Sequence, residues 1–195
     1  RMLLDREPGL ANVPDQSPNG DYPMHKAAWV SAKAVDLLLE FNADINAQNK
    51  RGETPLMLAR DEESAEMLLQ RKPNVNVASH DGRTALMLLA RRGFHGTVES
   101  LLLNGADVNA KDDRGKTALT HALDSFVTSS VALEGKDALA AACLLLQWKA
   151  DIDPADPLLK QALTKSESYK DSMLAHHVRM LEHRRPPPPA PSIKI

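Results

Sequence analysis

The sequence predicts an all-α solenoid of stacked helix-turn-helix units with short β-hairpin loops. Three observations carry that prediction. Glycines recur at Gly20, Gly52, Gly82 and Gly115, spaced by 32, 30 and 33 residues. Each opens a similar block: Gly52-Glu53-Thr54-Pro55-Leu56-Met57-Leu58-Ala59, Gly82-Arg83-Thr84-Ala85-Leu86-Met87-Leu88-Leu89-Ala90, Gly115-Lys116-Thr117-Ala118-Leu119, and more loosely Gly20-Asp21-Tyr22-Pro23-Met24-His25-Lys26-Ala27-Ala28. A second block follows a leucine run in every copy: Ala43-Asp44-Ile45-Asn46, Pro73-Asn74-Val75-Asn76, Ala106-Asp107-Val108-Asn109 and Ala150-Asp151-Ile152-Asp153. Such a period marks an array in which each unit buries its apolar face only against its neighbours.

Residues 1–19 read as the close of an earlier unit, with Met2-Leu3-Leu4 ahead of Leu10-Ala11-Asn12-Val13. The matching first helix is missing and the chain begins at Arg1, so a fragment of a longer protein is expected. Unit 20–51 carries Tyr22 where the others carry a capping threonine, and starts less firmly. Unit 52–81 places Thr54 at the helix cap and Pro55 at the first helical position, where a missing N–H is harmless. It is shortened, because only Asp61-Glu62-Glu63 joins Arg60 to Ser64. Unit 82–114 is the most regular, with Thr84 as cap, a turn at Gly93 and a left-handed stop at Gly105. Asn42 suits the same stop, and Lys72 and Lys149 suit it less well. Unit 115–154 is capped by Thr117 and carries about eleven extra residues between its helices, centred on Val127–Gly135. A turn of that length serves either binding or nothing beyond tolerated insertion. Residues 155–183 form a degenerate capping unit that opens at Asp156-Pro157-Leu158-Leu159, with a charged second helix expected near Tyr169–His183. Residues 184–195, running Arg184-Arg185-Pro186-Pro187-Pro188-Pro189-Ala190-Pro191, are expected to be a disordered polyproline II tail.

Taken together, these blocks resemble the ankyrin-repeat family, whose pattern is G-x-T-P-L-H-x-A-A, then L-L, then G-A-D-V-N. The resemblance covers about Gly20–Pro154 and is nearly complete over 82–114. It implies a non-enzymatic protein–protein interaction module whose partner docks on a concave face made of hairpin tips and first-helix ends. Carried over position by position, that face holds Asn19, Asp21, Trp29 and Val30 in the first unit. Next come Lys50, Arg51, Glu53, Arg60 and Asp61, then His80, Asp81, Arg83, Arg91 and Arg92, then Asp113, Arg114, Lys116, Asp124 and Ser125. From Lys50 onward it carries eight bases against five acids, on a chain of net charge −2. Arginine suits paired recognition of carboxylate and phosphate, so an acidic or phosphorylated segment is the expected partner; a mixed solvated surface is the bland alternative. Trp29 is expected either to anchor that partner or to stack on the preceding unit. The family's histidine position falls on His25, where a structural hydrogen bond is implied. The resemblance further marks Asn46, Asn76 and Asn109 as candidates for asparaginyl hydroxylation, beside a plain hairpin hydrogen-bonding role.

Composition narrows the function classes. The 195 residues are 43% apolar and 26% charged, which suits a globular chain, and aromatics at 4% leave the core to Leu, Ala, Val, Met and Ile. One cysteine, Cys143, excludes an internal disulfide framework and points to a reducing, cytoplasmic setting, or the host cytosol for a secreted effector. The small negative net charge argues against nucleic-acid binding driven by overall charge. The longest apolar run, Ala138–Leu146, is about half of a ~20-residue membrane span. No phosphate-loop, dinucleotide or nucleophile-elbow motif is present, so neither catalytic residues nor a cofactor are expected. His176 and His183 share a helix face but lack a third ligand, and Cys143 reads as a small buried hydrophobe, so no metal is expected either. Arg185-x-x-Pro188-x-x-Pro191 resembles the ligands of SH3 domains. The rival functional expectation is a targeting or substrate-recruiting domain of a larger enzyme or of a secreted microbial effector.

Overall fold

The structure is a computed structural model that describes residues 5–129, 132–153, 156–168 and 173–182. A 3-10 turn at Pro8–Asn12 leads into five helix pairs: α1 (Pro23–Val30) with α2 (Ala32–Glu40), α3 (Pro55–Leu58) with α4 (Glu62–Leu69), α5 (Ala85–Arg92) with α6 (His95–Leu103), α7 (Ala118–Thr128) with α8 (Ala132–Gln147), and α9 (Pro157–Ser168) with α10 (Met173–Glu182). The odd helices pack on one another in sequence and the even helices do the same, giving two layers. Between them runs one continuous core of Leu, Met, Ala and Val, with Phe126 the one aromatic among its largest fully buried side chains. None of the described helices is long and apolar enough to cross a membrane.

Capping follows the threonines. Thr84 Oγ1 accepts the Met87 N–H at the start of α5, and Thr117 and Thr120 exchange hydrogen bonds at the start of α7. Where Tyr22 replaces threonine, His25 takes over. Its Nδ1 accepts the Tyr22 N–H (3.1 Å), which leaves Nε2 protonated to donate to the Glu53 carbonyl of the next turn (2.8 Å). His25 is therefore a buried structural link between two units.

The hairpin loops are tighter than a ladder of strands. Asn49, Ser79 and Asp112 each donate a backbone N–H across their turn, to Glu53, Arg83 and Lys116. Among the described residues the single antiparallel bridge is Ala78–Thr84, and no strand forms. The turns are tied to one another instead. Lys50 N–H donates to Asn19 O, His80 N–H to Arg51 O and Asp113 N–H to Asp81 O, at 2.8–3.1 Å. A second tie runs through asparagine side chains: Asn12, Asn46, Asn76 and Asn109 each accept, through Oδ1, a backbone N–H of the following unit at Asp44, Asn74, Asp107 and Asp151. The three asparagines marked for hydroxylation thus hold structural hydrogen bonds between units.

The stops of the first four helix pairs adopt the left-handed region, at Asn42 (φ 54°), Lys72 (φ 53°), Gly105 (φ 84°) and Lys149 (φ 64°). The repeat geometry overrides residue preference at the two lysines. Lys72→Gly is expected to stabilise the fold by about 0.5–1 kcal/mol, because the left-handed penalty of a Cβ exceeds the entropy that glycine costs. A higher urea midpoint at unchanged slope would be the supporting measurement.

Two irregularities depart from the expected pattern. The first is α3, a single turn that ends at Ala59 in an extended conformation. The freed backbone is not orphaned: Arg60 N–H donates to Ala28 O of α1 (3.1 Å), and Arg92 of α5 donates to Ala59 O. The second is the insertion, which corrects the expectation of a long turn. Val127 and Thr128 extend α7, and α8 already begins at Ala132. Burial of Phe126 on the last turn of α7 rewards the extra helix, and Lys165 of α9 donates to the end carbonyls Phe126 O, Val127 O and Ser129 O at 2.5–3.0 Å. The second cap helix is Met173–Glu182, inside the expected 169–183. Met2-Leu3-Leu4, Ser130, His183 and the proline-rich tail 184–195 lie outside the described residues.

Candidate partner-binding surface

The eight expected bases separate into two groups. Those at the hairpin tips are largely used within their own units. Arg51 faces Glu53 (4.0 Å), Arg83 pairs with Asp81 (3.0 Å), and Lys116 pairs with Asp124 (3.1 Å). Lys50 lies across Gly20, and Arg114 is an exposed tip side chain whose N–H donates to Asp112. Asp113 and His80 are exposed tips whose backbone amides join the inter-turn ties. Asp61 is the N-cap of α4, where its carboxylate accepts the Ser64 N–H (2.8 Å); that bond holds its pKa below the usual aspartate value. These are surface pairs and caps, worth a few tenths to about 1 kcal/mol each.

Arg60, Arg91 and Arg92 differ. None forms an ion pair within 4 Å among the described residues, although Glu53 and Asp61 act at longer range on Arg92 and Arg60, and all three line one open cleft of about 550 Å³, together with Phe94, Ser125, Thr128 and Ser129. Arg60 leaves the shortened α3, Arg91 and Arg92 form the last turn of α5, and the hydroxyls stand on the lengthened end of α7. Both irregularities of the array therefore meet in this cleft. The deletion withdraws one helix end, and the extension of α7 raises the opposite wall, which Lys165 anchors from α9.

Burial, reinforced by the neighbouring Arg91 charge, pushes the Arg92 guanidinium below its usual pKa. Two like charges so placed gain from any anion that settles between them. Helix C-termini oppose an anion by about 0.3–1 kcal/mol each, whereas a charge-assisted hydrogen bond contributes about 1.5–3 kcal/mol. Guanidinium groups therefore decide the sign of this cleft.

Beside it lies an apolar cavity of about 350 Å³ lined by Asp21, His25, Lys26, Trp29, Val30 and Leu58. Trp29 is 54% exposed and Val30 65% exposed. Trp29 does not bury itself on the preceding unit: the Arg60 guanidinium of the following unit sits 5.9 Å from the centre of its ring. Arg60 thus lines the basic cleft and touches Trp29, which lines the apolar cavity. Sequence reasoning located Trp29 and the three arginines but missed Phe94, Thr128 and Ser129 as their neighbours. The signal in the sequence is the deletion in one unit and the insertion two units later.

A two-layer helical solenoid cross-tied at its turns, with an unpaired basic cleft on the first-layer side, defines a repeat-built recognition scaffold. Comparison with known proteins places it more narrowly. Residues 1–79 and 60–156 match the family of ankyrin repeats (3 copies), and the chain belongs to the ankyrin-repeat family. It is 41% identical over 115 residues to neurogenic locus notch homolog protein 1 of Homo sapiens and 40% identical over the same length to that of Mus musculus. Each match covers 56% of this chain and 4% of the relative. Neurogenic locus notch homolog protein 2 of Homo sapiens is 40% identical over 105 residues, 51% of this chain and 4% of the relative. The chain thus spans a small fraction of the curated relatives it matches. Ankyrin repeats are protein–protein interaction modules.

Proposed function

We propose that this chain is a non-enzymatic recognition module that binds an acidic segment of a partner protein across the hairpin tips and first-layer helix ends. The observation that carries this reading is the convergence of Arg60, Arg91 and Arg92 on one cleft without an ion pair of their own among the described residues. Arg60, Arg91 and Arg92 are exposed to the cleft, and a guanidinium carries five donors for an incoming acid, of which Arg92 already gives one to Ala59 O. The tips supply the rim: Lys50, Arg114, His80 and Asp113 are exposed and can set orientation and association rate. A reducing, cytoplasmic setting accords with Cys143, buried within α8.

The test is affinity capture from cell lysate on the wild-type chain beside a folded R91E/R92E variant, read by mass spectrometry. A protein held by the wild type and lost from the variant is the expected result. Equal capture by both baits would remove the arginine cleft from the mechanism and return attention to the hairpin tips.

A further inference from the structure

Resting on that reading, we infer that the acid taken by the cleft is a phosphate monoester on a partner side chain, and that an apolar residue of the same segment enters the adjoining Trp29 cavity. Three features favour phosphate over carboxylate. A carboxylate offers two oxygens and one charge, which one guanidinium already satisfies in the bidentate geometry. A phosphate monoester offers three free oxygens and close to two charges, which suits three guanidiniums on one cleft, two from the last turn of α5 and one from the end of α3. The wall opposite the arginines is made of hydroxyls rather than acids: Ser125, Thr128 and Ser129 stand where carboxylates would repel such a group. Ser125 occupies the place in α7 that Arg92 occupies in α5, 33 residues earlier, and its hydroxyl makes no hydrogen bond to any described residue. The occupant is a peptide rather than a free anion because Arg60 lies against Trp29, which with Val30 lines a second, apolar cavity and is left exposed. A lipid headgroup would use the arginines but gain little from Trp29 and Val30, whereas a nucleic-acid base could stack on Trp29 and is distinguished by the DNA arm of the experiment.

The experiment is affinity selection on the full 195-residue chain with degenerate peptide pools centred on phosphoserine, phosphothreonine or phosphotyrosine, beside matched unphosphorylated pools and pools centred on glutamate. The expected result is enrichment of a phosphorylated pool with an apolar residue at a fixed offset. Loss of the phosphate should weaken the selected peptide by about tenfold or more, the scale of one charge-assisted hydrogen bond or more. Arg91→Glu, which leaves the Arg92–Ala59 hydrogen bond in place, should weaken selection tenfold or more while its circular dichroism and melting stay those of the parent. Trp29→Ala should keep the preference for phosphate and lose the apolar preference. Ser125→Ala, which leaves every charge in place, should weaken the phosphopeptide and leave a glutamate-rich peptide unchanged.

Glutamate-centred peptides selected as strongly as phosphorylated ones, through the same arginines, would overturn the phosphate inference and leave the acidic-segment reading standing. Selection of no acidic pool of either kind would overturn both. Arginine-dependent binding of a short DNA duplex or of phosphoinositide vesicles, with no peptide pool enriched, would overturn both in favour of those ligands.

Discussion

Gly93→Val is expected to lower stability by about 2–5 kcal/mol, the sum of a left-handed backbone penalty and overpacking against a neighbouring helix. Gly93 ends α5 with φ 79°, and its N–H and that of Phe94 return to Ala90 O and Leu89 O. A Cβ there would stand 2.6 Å from Asp137 Cβ and 2.8 Å from Ala138 N, so the obstruction includes the backbone of α8 and not only a movable side chain. Gly105 provides the internal control. Its φ of 84° is as demanding, but a Cβ there meets no atom within 4 Å. Gly105→Ala should therefore cost only the backbone part, about 1–2 kcal/mol. Urea denaturation of the two variants reads the difference. Equal losses would mean that the approach of α8 to the α5 turn contributes nothing.

Asp112→Ala is expected to cost about 3 kcal/mol, because it strands several buried donors at once. Asp112 Oδ1 accepts the Arg114 and Lys116 N–H groups (3.0 and 2.8 Å), and Oδ2 meets Nε2 of buried His121 at 2.9 Å. Asp112→Asn should cost much less, about 1 kcal/mol, since Asn49 already performs the same task two hairpin turns earlier by accepting the Arg51 and Glu53 N–H groups. The two variants separate the turn clamp from the charge. Burial by itself raises the Asp112 pKa, but the Lys116 N–H, the His121 ring and the Arg114 N–H outweigh it and hold the carboxyl below the usual aspartate value. A depressed carboxylate contributes stability that is fully present above its unfolded value, about 4, and is lost as pH falls through the folded value. The stability gap between wild type and Asp112→Asn should accordingly be widest at neutral pH and close below about pH 4. A gap that stays constant down to pH 2.5 would show that the charge of Asp112 adds nothing to its hydrogen bonds.

Much of this architecture was legible from local signals. Thr84 and Thr117 cap their helices, Gly93 and Gly105 take the left-handed turns, and His25 forms its link, because each acts within one or two units whose spacing the repeat itself states. Lys72 and Lys149 adopt the same backbone against their own preference, which shows that the period outranks the residue at a single stop. The buried pair Asp112–His121 left no such trace, since a histidine four residues past a capping threonine is as compatible with solvent as with burial.

The candidate site divides along the same line. The resemblance to the ankyrin-repeat family implied that Trp29, Arg60, Arg91 and Arg92 share one surface. Which cations are neutralised depended on distances between side chains in three dimensions: Arg83 meets Asp81 within its own turn, while Arg92 reaches a carbonyl in the unit before it. The insert was helix rather than turn because Phe126 found a buried site and Lys165 arrived from a later unit to receive the helix end. Repeat order, caps and turn conformations were thus determined by the sequence, through short-range sterics and hydrogen bonds that recur every 30 to 33 residues. The basic cleft was decided by the tertiary structure, because a deletion in one unit and an extension in another act on the same space only once the units are stacked.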